Sequence, residues 1–190
     1  MDKIKYSFLV IVTMTLLLML GCDKAVTSSN DDESIMPLTI GNSWSFEVSG
    51  VRDNYKYNQD LTIVGTKEID SELWYYFFEE DPEQFMIRND KNGIWVYEDG
   101  ESILFWKYPV KKNENYCDSD GIDGNSVNIT CIGKNVKYNE FNACVVYNVC
   151  ESGDFIHRYY LKPGIGLVGW EFYMNGHFIE KSSLTSYTII

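Results

Sequence analysis

The chain has 190 residues with 28 acidic and 16 basic side chains, for a formal net charge of −12. A field of that sign repels phosphate backbones and anionic lipid head groups, so nucleic-acid binding is excluded as an expected function. The length suits one domain with its own hydrophobic core.

The first 21 residues have the pattern of an export signal. Lys3 and Lys5 precede a run from Phe8 to Leu20 that contains only apolar residues and two threonines, and Gly21 follows. A basic start, a short apolar segment and a small residue before the cut are typical of such signals. The run is too short to span a bilayer, which takes a helix of about 20 residues. We therefore expect residues 1–21 to be removed on export.

The segment from Leu18 to Cys22 resembles the bacterial lipobox. The resemblance implies that the Cys22 sulfur carries a diacylglyceryl group and that cleavage occurs just before it. The alternative is an ordinary signal peptide whose removal leaves Cys22 as a thiol. We expect residues 22–35 to be the lipidated cysteine and a polar, disordered tether, and residues 36–190 to be a β-rich domain outside the cytoplasm. Asp23 resembles an inner-membrane retention signal of enteric bacteria, but both the inner and the outer membrane of the cell envelope stay open.

The domain has the composition of an all-β protein. It is dense in aromatic and β-branched residues, and no long segment has a 3.6-residue apolar period. Asn-Gly and Asp-Gly pairs, which favour tight hairpins, separate apolar runs at residues 92–93, 99–100 and 175–176. The predicted fold is an antiparallel meander that forms a curved sheet, a half-barrel or a barrel. The polar residues 111–123 are predicted to form a loop.

Residues 74–78 are a continuous aromatic run. A strand with large apolar groups on both faces needs both faces covered by protein, by a ligand or by a partner. The ordinary interpretation is a central strand that other parts of the chain cover. The alternative is a groove for an apolar ligand, with a face formed by Trp74, Tyr76, Phe78, Trp95 and Trp106.

Four cysteines follow Cys22, an even number that predicts disulfides in an exported protein. Cys144 and Cys150 on one extended strand would be about 20 Å apart, too far for a bridge. A hairpin that turns near residues 138–142 would set Cys131 opposite residues 149 and 150. We therefore expect bridges from Cys131 to Cys150 and from Cys117 to Cys144.

The sequence contains no recognisable catalytic constellation. Its histidines, His157 and His177, belong to no known motif, and we expect both to be ordinary rim or surface residues. Acidic groups such as Glu79 and Glu80 are expected to be solvated charges. The aspartates at 118, 120 and 123 lack the full ligand pattern of a calcium loop. We predict no catalytic residue, no metal and no cofactor.

Two segments resemble a pattern known from bacterial lipoproteins of unknown function. Residues 37–44 resemble the opening PLxxGNxW of that family, and residues 159–168 resemble its closing YYxxPGxGLV. The resemblance implies an antiparallel, barrel-like domain, similar in fold to the half-barrels of the periplasmic lipoprotein carriers LolA and LolB. Gly41 and Asn42 suit a turn into the first strand, and Pro163 and Gly164 suit a type II turn.

These features favour a non-enzymatic lipoprotein that presents a binding or interaction surface at the cell envelope. Its expected partners are the membrane, through the lipid anchor, and either an envelope protein or an apolar small molecule. A carrier of an apolar or acyl ligand in the half-barrel is one alternative. An enzyme of unknown type is another.

Overall fold

The computed structural model describes residues 34–51, 54–78, 85–98, 100–118, 127–151 and 154–190. The predicted signal segment and most of the predicted tether, with Cys22, lie outside these residues. Several other predicted sites also lie outside them: Glu79, Glu80, Asp120, Asp123 and the side chains of Cys117 and Asp118.

The described residues form thirteen strands and no helix. In chain order the strands are β1 (Ser43–Gly50), β2 (Lys56–Thr62), β3 (Gly65–Ile69), β4 (Glu72–Tyr76), β5 (Met86–Asp90), β6 (Gly93–Glu98), β7 (Glu101–Lys107), β8 (Asn115–Asp118), β9 (Val127–Tyr138), β10 (Phe141–Glu151), β11 (Phe155–Lys162), β12 (Gly166–Met174) and β13 (His177–Thr188). In these ranges no helix is long and apolar enough to cross a membrane.

The strands form two antiparallel sheets. One has eight strands in the order β2-β1-β13-β12-β11-β10-β9-β8, and the other has five in the order β3-β4-β5-β6-β7. The predicted all-β, antiparallel fold is confirmed, and neither sheet closes into a barrel. The first strand lies beside the last, so β1 and β2 complete the sheet that β8 to β13 build as a meander.

The turn chemistry in the sequence predicts the hairpins well. Each of the three dipeptides lies at a junction between paired strands: β5 with β6, β6 with β7, and β12 with β13. Gly164 has φ 78°, and the amide of Ile165 donates to the carbonyl of Lys162 at 2.9 Å, as a type II turn requires. The chain also turns at Gly41 and Asn42 immediately before β1.

The predicted loop over residues 111–123 is wrong in part, because β8 lies within it. This polar strand is an edge strand that pairs only with β9. The Tyr116 hydroxyl accepts a hydrogen bond from the amide of Lys107 at 2.9 Å and donates one to the carbonyl of Phe105 at 3.0 Å. These tertiary contacts hold a segment whose own composition favours a loop.

The described side chains form neither of the predicted disulfides. The thiols of Cys131, Cys144 and Cys150 are free. The pairing of β9 with β10 contains three irregularities, and it sets Cys131 opposite Tyr147 and Cys150 opposite Asn128. Cys131 and Cys150 are therefore three positions out of register, about 10 Å along the strands, and they project from opposite faces.

The second predicted bridge fails for a similar reason. Cys117 pairs with Asn128, whereas Cys144 pairs with Val136, eight positions further along β9. That offset corresponds to about 26 Å, far beyond the reach of a disulfide.

The two sheets share one hydrophobic core. A bulge in β7 determines which of its side chains enter this core. Ile94 pairs with Trp106 and Trp95 pairs with Leu104, so Phe105 is an extra residue without a partner on β6. The neighbours Phe105 and Trp106 therefore both point into the core, with 1% and 0% of their surface exposed. Their rings meet the Tyr159 ring of β11 at centroid distances of 6.1 and 5.4 Å.

Candidate functional site

Directly paired residues of an antiparallel sheet project from the same face. Val48, Ser182, Trp170 and Tyr159 form such a row across β1, β13, β12 and β11. We call the face that carries this row the inner face, because Tyr159 contacts the five-stranded sheet.

A second row on the inner face contains Glu180, Phe172 and His157, from β13, β12 and β11. Glu180 also pairs with Gly50 of β1. The ring of Tyr55 occupies the space where Gly50 has no side chain, since a Cβ atom there would overlap the ring. An acidic side chain and aromatic rings thus meet on one part of the inner face.

Glu180 is the central residue of this part. Its half-buried carboxylate accepts a hydrogen bond from the Tyr55 hydroxyl. Burial raises the pKa of Glu180, and polar contacts from Tyr55 and Trp170 only partly oppose that shift. Among the described residues no basic side chain pairs with this carboxylate. A half-buried carboxylate without a cation is unusual, because removing its hydration destabilises the charge.

Tyr57 forms the solvent-facing side of the cluster. Its side chain is 40% exposed, and its ring stacks on that of Tyr55 at 6.0 Å between centroids. Burial and the nearby charge of Glu180 together raise the pKa of Tyr57 to about 12. The hydroxyl therefore stays protonated at neutral pH.

Three buried polar side chains on the same face of the sheet have polar atoms without a hydrogen-bond partner. They are Gln59 at Nε2, Ser182 at Oγ and His157 at both ring nitrogens. Their exposed fractions are only 7%, 0% and 2%. An unsatisfied buried donor or acceptor costs about 1–3 kcal/mol, so native proteins generally keep one for a function or satisfy it with a bound molecule.

We define the Glu180 site as these residues together with the aromatic rings beside them: Tyr55, Tyr57, Gln59, His157, Trp170, Phe172, Glu180 and Ser182. Phe46 links its two sides, because it pairs with Gln59 across β1 and β2 and its ring lies 5.4 Å from that of Trp170. The site can supply one carboxylate, several unpartnered hydrogen-bonding atoms and aromatic faces.

The two histidines lie in different surroundings. His157 is buried and stacks on Phe172 at 4.6 Å between centroids, and burial lowers its pKa to about 4. The prediction of a rim or surface position is therefore wrong for His157. His177 is exposed at the start of β13, in keeping with that prediction.

Neither histidine has a described hydrogen bond to a carboxylate that would make it a general base. In the described ranges no group of three His, Cys, Asp or Glu side chains is arranged to hold a metal ion.

The predicted apolar ligand face is divided between two surfaces. Trp74, Tyr76 and Trp95 lie on the side of the five-stranded sheet that faces away from the core, as the register of β4, β5 and β6 requires. Trp106 is in the core, and Phe78 packs against the core. The five residues therefore do not line one groove.

Arg88 explains how the outer aromatic face is stabilised. Its guanidinium lies 5.2 Å from the ring centre of Trp74 and 4.9 Å from that of Trp95. Trp74 is only 3% exposed, and the Trp74 ring also contacts Tyr97 at 5.4 Å. The aromatic run therefore has one side in the core and one in this cluster, which confirms that both faces of the strand are covered.

The sequence analysis missed Glu180, Tyr55, Gln59 and Ser182. One signal was available in β13, where Glu180 and Ser182 are in the same register as the apolar Phe178 and Leu184. A carboxylate in the inward register of a half-buried strand is an anomaly that points to a site.

No known family model matches the chain, and no curated protein matches it. Two solved structures are similar. One is a candidate lipoprotein of Parabacteroides distasonis, with a TM-score of 0.41, 11% identity and coverage of 84% of this chain and 100% of that chain. The other is a candidate exported protein of Bacteroides fragilis with a YmcC-like fold, with a TM-score of 0.43, 10% identity and coverage of 90% and 99%. Neither likeness carries an argument about function.

Proposed function

We propose that this protein is a lipid-anchored component of the bacterial cell envelope that binds a small ligand at the Glu180 site and catalyses no reaction. The lipobox-like segment from Leu18 to Cys22 supports the anchor. The inner face of the eight-stranded sheet, which carries aromatic and polar side chains, supports the binding role. The single observation that carries the binding role is the half-buried Glu180 carboxylate, which has no described basic partner and shares its sheet face with unpartnered polar groups.

Binding is favoured over catalysis because the site lacks an activated group. The ring of His157 is held between Phe172 and Tyr159, and both nitrogens have no partner. Phe172 also separates His157 from Glu180 in the row. A general base also needs an orienting group, and no described residue forms a hydrogen bond with the His157 ring.

A carrier of an apolar or acyl ligand is the second candidate. The inner face is rich in aromatic rings, which favours it, but Phe105 and Trp106 already pack against Tyr159. Extraction of purified protein with organic solvent would recover a stoichiometric lipid if this candidate were correct.

The binding site is tested by the stability of Glu180→Gln at pH 7. Removal of an unpaired half-buried charge is expected to raise the free energy of unfolding by about 1 kcal/mol, as is common for residues kept for function rather than stability. Glu171→Gln is the matched control. The carboxylate of Glu171 accepts hydrogen bonds from Arg158, Tyr160 and Tyr173, so its loss is expected to cost about 2 kcal/mol.

Urea denaturation of both variants measures the difference. A Glu180→Gln variant that loses stability as Glu171→Gln does would show that Glu180 has a structural role, and the proposed site would be abandoned.

The anchor is tested separately by metabolic labelling with radioactive palmitate. The parent chain is expected to be labelled and to sediment with membranes, whereas Cys22→Ser is expected to be unlabelled and released. Cys150→Ser, which removes a half-buried thiol of the domain, is the control and should stay labelled. Equal membrane attachment of the Cys22→Ser variant would refute the anchor.

A further inference from the structure

At one end of the eight-stranded sheet, three neighbouring segments contain no charged side chain, although 23% of the whole chain is charged. They are residues 34–46, 61–66 and 182–190. Strand pairing brings the three together, because Ser43 at the start of β1 is opposite both Thr62 and Thr188. We call the part of the molecule that these segments form the uncharged end.

The uncharged end also exposes large apolar side chains. Ile40, Tyr187 and Ile190 are 52%, 45% and 60% exposed. The Ile190 side chain lies against Gly41, where an added Cβ atom would be 2.7 Å from its Cδ1, and the Ile190 amide donates to Oδ1 of Asn42 at 2.8 Å. A single exposed apolar side chain is ordinary, but several at one uncharged surface indicate contact with a membrane or another protein.

The described chain begins at the same end of the sheet. The amide of Gly164 donates to the carbonyl of Ser34, the first described residue, at 3.1 Å. Gly164 lies in the turn between β11 and β12, and the antiparallel order places this turn beside the end of β13. Eleven residues separate Cys22 from Ser34, and they reach at most about 40 Å. A lipid on Cys22 therefore holds this end close to the membrane.

The opposite end of the sheet is less suited to face the membrane. Glu180 is opposite Gly50, seven residues along β1 from Ser43, which corresponds to about 23 Å. The tether would use more than half of its greatest length to run back along the sheet to that end. The net charge of −12 also repels anionic head groups, so the uncharged end approaches a membrane with the least repulsion. Lys162, at the end of β11, adds a cation that head-group phosphates attract.

We propose that the uncharged end rests on the lipid bilayer, with Ile40, Tyr187 and Ile190 in the head-group layer and the Glu180 end facing away. The proposal rests on the lipid anchor proposed above and adds the orientation of the domain. Isoleucine side chains gain by leaving water, and tyrosine suits the interface because its ring is apolar and its hydroxyl polar. Three partly exposed side chains suffice, because the anchor gives the domain a high effective concentration at the surface.

The test is photo-cross-linking of the full-length lipoprotein in phosphatidylcholine vesicles. The photoreactive residue p-benzoylphenylalanine replaces Tyr187 in one variant and Tyr57 in another, since the two tyrosines are 45% and 40% exposed at opposite ends of the sheet. Mass spectrometry measures the share of protein joined to lipid. The probe at Tyr187 is expected to give about fivefold more lipid adducts than the probe at Tyr57. Equal yields would overturn the proposal.

The same experiment detects another occupant of the uncharged end. If the probe at Tyr187 joins two protein chains and no lipid, this end is an interface between copies of the protein and the proposal is wrong.

A second pair of variants tests the apolar contact itself. Ile40→Glu places a charge at the uncharged end, and Val51→Glu is the matched control, because Val51 is 54% exposed and follows Gly50 at the opposite end. In the chain with the probe at Tyr187, Ile40→Glu is expected to reduce lipid adducts about threefold, because a carboxylate keeps its hydration outside the bilayer. Val51→Glu is expected to leave the yield unchanged. Both side chains are exposed, so neither variant removes a core contact. An unchanged yield in Ile40→Glu would contradict the proposal.

Palmitate labelling of the same preparations separates the orientation from the anchor. Labelled protein with equal cross-linking from the two probes rejects the orientation and leaves the anchor in place. Unlabelled protein that does not sediment with the vesicles rejects the anchor and the orientation together.

Discussion

At the residue scale, His157 couples the stability of the fold to pH. Its neutral ring is buried without a hydrogen-bond partner, and its pKa falls from 6.5 to about 4. The unfolded chain therefore binds a proton more readily than the folded one between these values. The stability that His157 contributes is complete above pH 6.5 and is lost as the pH falls towards 4, by about 3 kcal/mol in all.

His157→Phe tests this coupling, because phenylalanine keeps the stacking on Phe172 without a titrating group. Urea denaturation between pH 7 and pH 4 should show a much shallower loss of stability in this variant than in the parent. His177→Gln, at the exposed end of β13, should keep the slope of the parent. A parental slope in His157→Phe would assign the acid sensitivity to other groups.

Arg88 is the second residue whose role can be measured. It lies between Trp74 and Trp95 and forms ion pairs with Asp90 at 3.2 Å and Glu72 at 3.7 Å. Burial of Asp90 raises its pKa, but hydrogen bonds from Asn92 and Arg88 and a polar contact with Trp95 outweigh this and hold the pKa below its usual value.

Arg88→Ala is expected to cost about 2 kcal/mol through lost stacking and packing, and Arg88→Lys about half as much because an ammonium group does not stack flat on two indoles. Thermal denaturation measures both variants, and Lys91→Ala at the neighbouring exposed turn is the control. An Arg88→Ala variant as stable as Lys91→Ala would show that the contacts of Arg88 with Trp74 and Trp95 contribute nothing to stability.

At the element scale, Gly93 is required where β6 begins beside the end of β7. Its φ is +135°, and a Cβ atom would overlap the carbonyl oxygen of Trp106 and lie 2.7 Å from the amide nitrogen of Tyr108. Both obstacles are backbone, which cannot rotate away. Gly93→Ala is therefore expected to cost about 3 kcal/mol.

The matched control is Gly176→Ala. Gly176 also has a positive φ, of 73°, but no atom lies within 4 Å of its ideal Cβ position. Gly176→Ala therefore incurs only the penalty for a positive φ angle, and it is expected to reduce the free energy of unfolding by about 1 kcal/mol. Chemical denaturation measures the stability of the two variants. Equal losses of stability would mean that the close approach of the β7 backbone does not explain the cost of Gly93→Ala.

At the scale of the whole molecule, we expect the aromatic contact between the sheets to make them one folding unit. Trp106 is fully buried, and its ring meets those of Phe105 and Tyr159 at 5.2 and 5.4 Å. Trp106→Ala is expected to lose about 4 kcal/mol, more than Trp95→Ala on the outer face of the same sheet.

The unfolding of the parent chain is expected to be a single transition, with coincident changes in far-ultraviolet and near-ultraviolet circular dichroism. Two separate transitions would indicate that the eight-stranded and five-stranded sheets fold independently.

Local chemistry explains which features of the fold could be predicted. The Asn-Gly and Asp-Gly pairs and the Pro163–Gly164 turn each depend on a few adjacent residues, and the structure has hairpins and a turn at those places. The both-sided burial of the aromatic run was also predictable, because it follows from the hydrophobicity of one strand.

Only the tertiary structure decided the register of the strands, the sheet face from which each side chain projects, and which residues form the Glu180 site. The irregular pairing of β9 with β10 moved Cys131 away from Cys150, and the bulge at Phe105 turned Trp106 into the core while Trp95 faces outwards. A shift of one residue reverses every side chain of a strand, and such shifts depend on packing summed over the whole sheet rather than on nearby residues. The Glu180 site shows the same limit, because its residues come from Tyr55 to Ser182 and share one sheet face only through the pairing of β2, β1, β13, β12 and β11. The sequence by itself thus determined an all-β chain of antiparallel hairpins, whereas long-range packing decided which of its polar groups lie together inside.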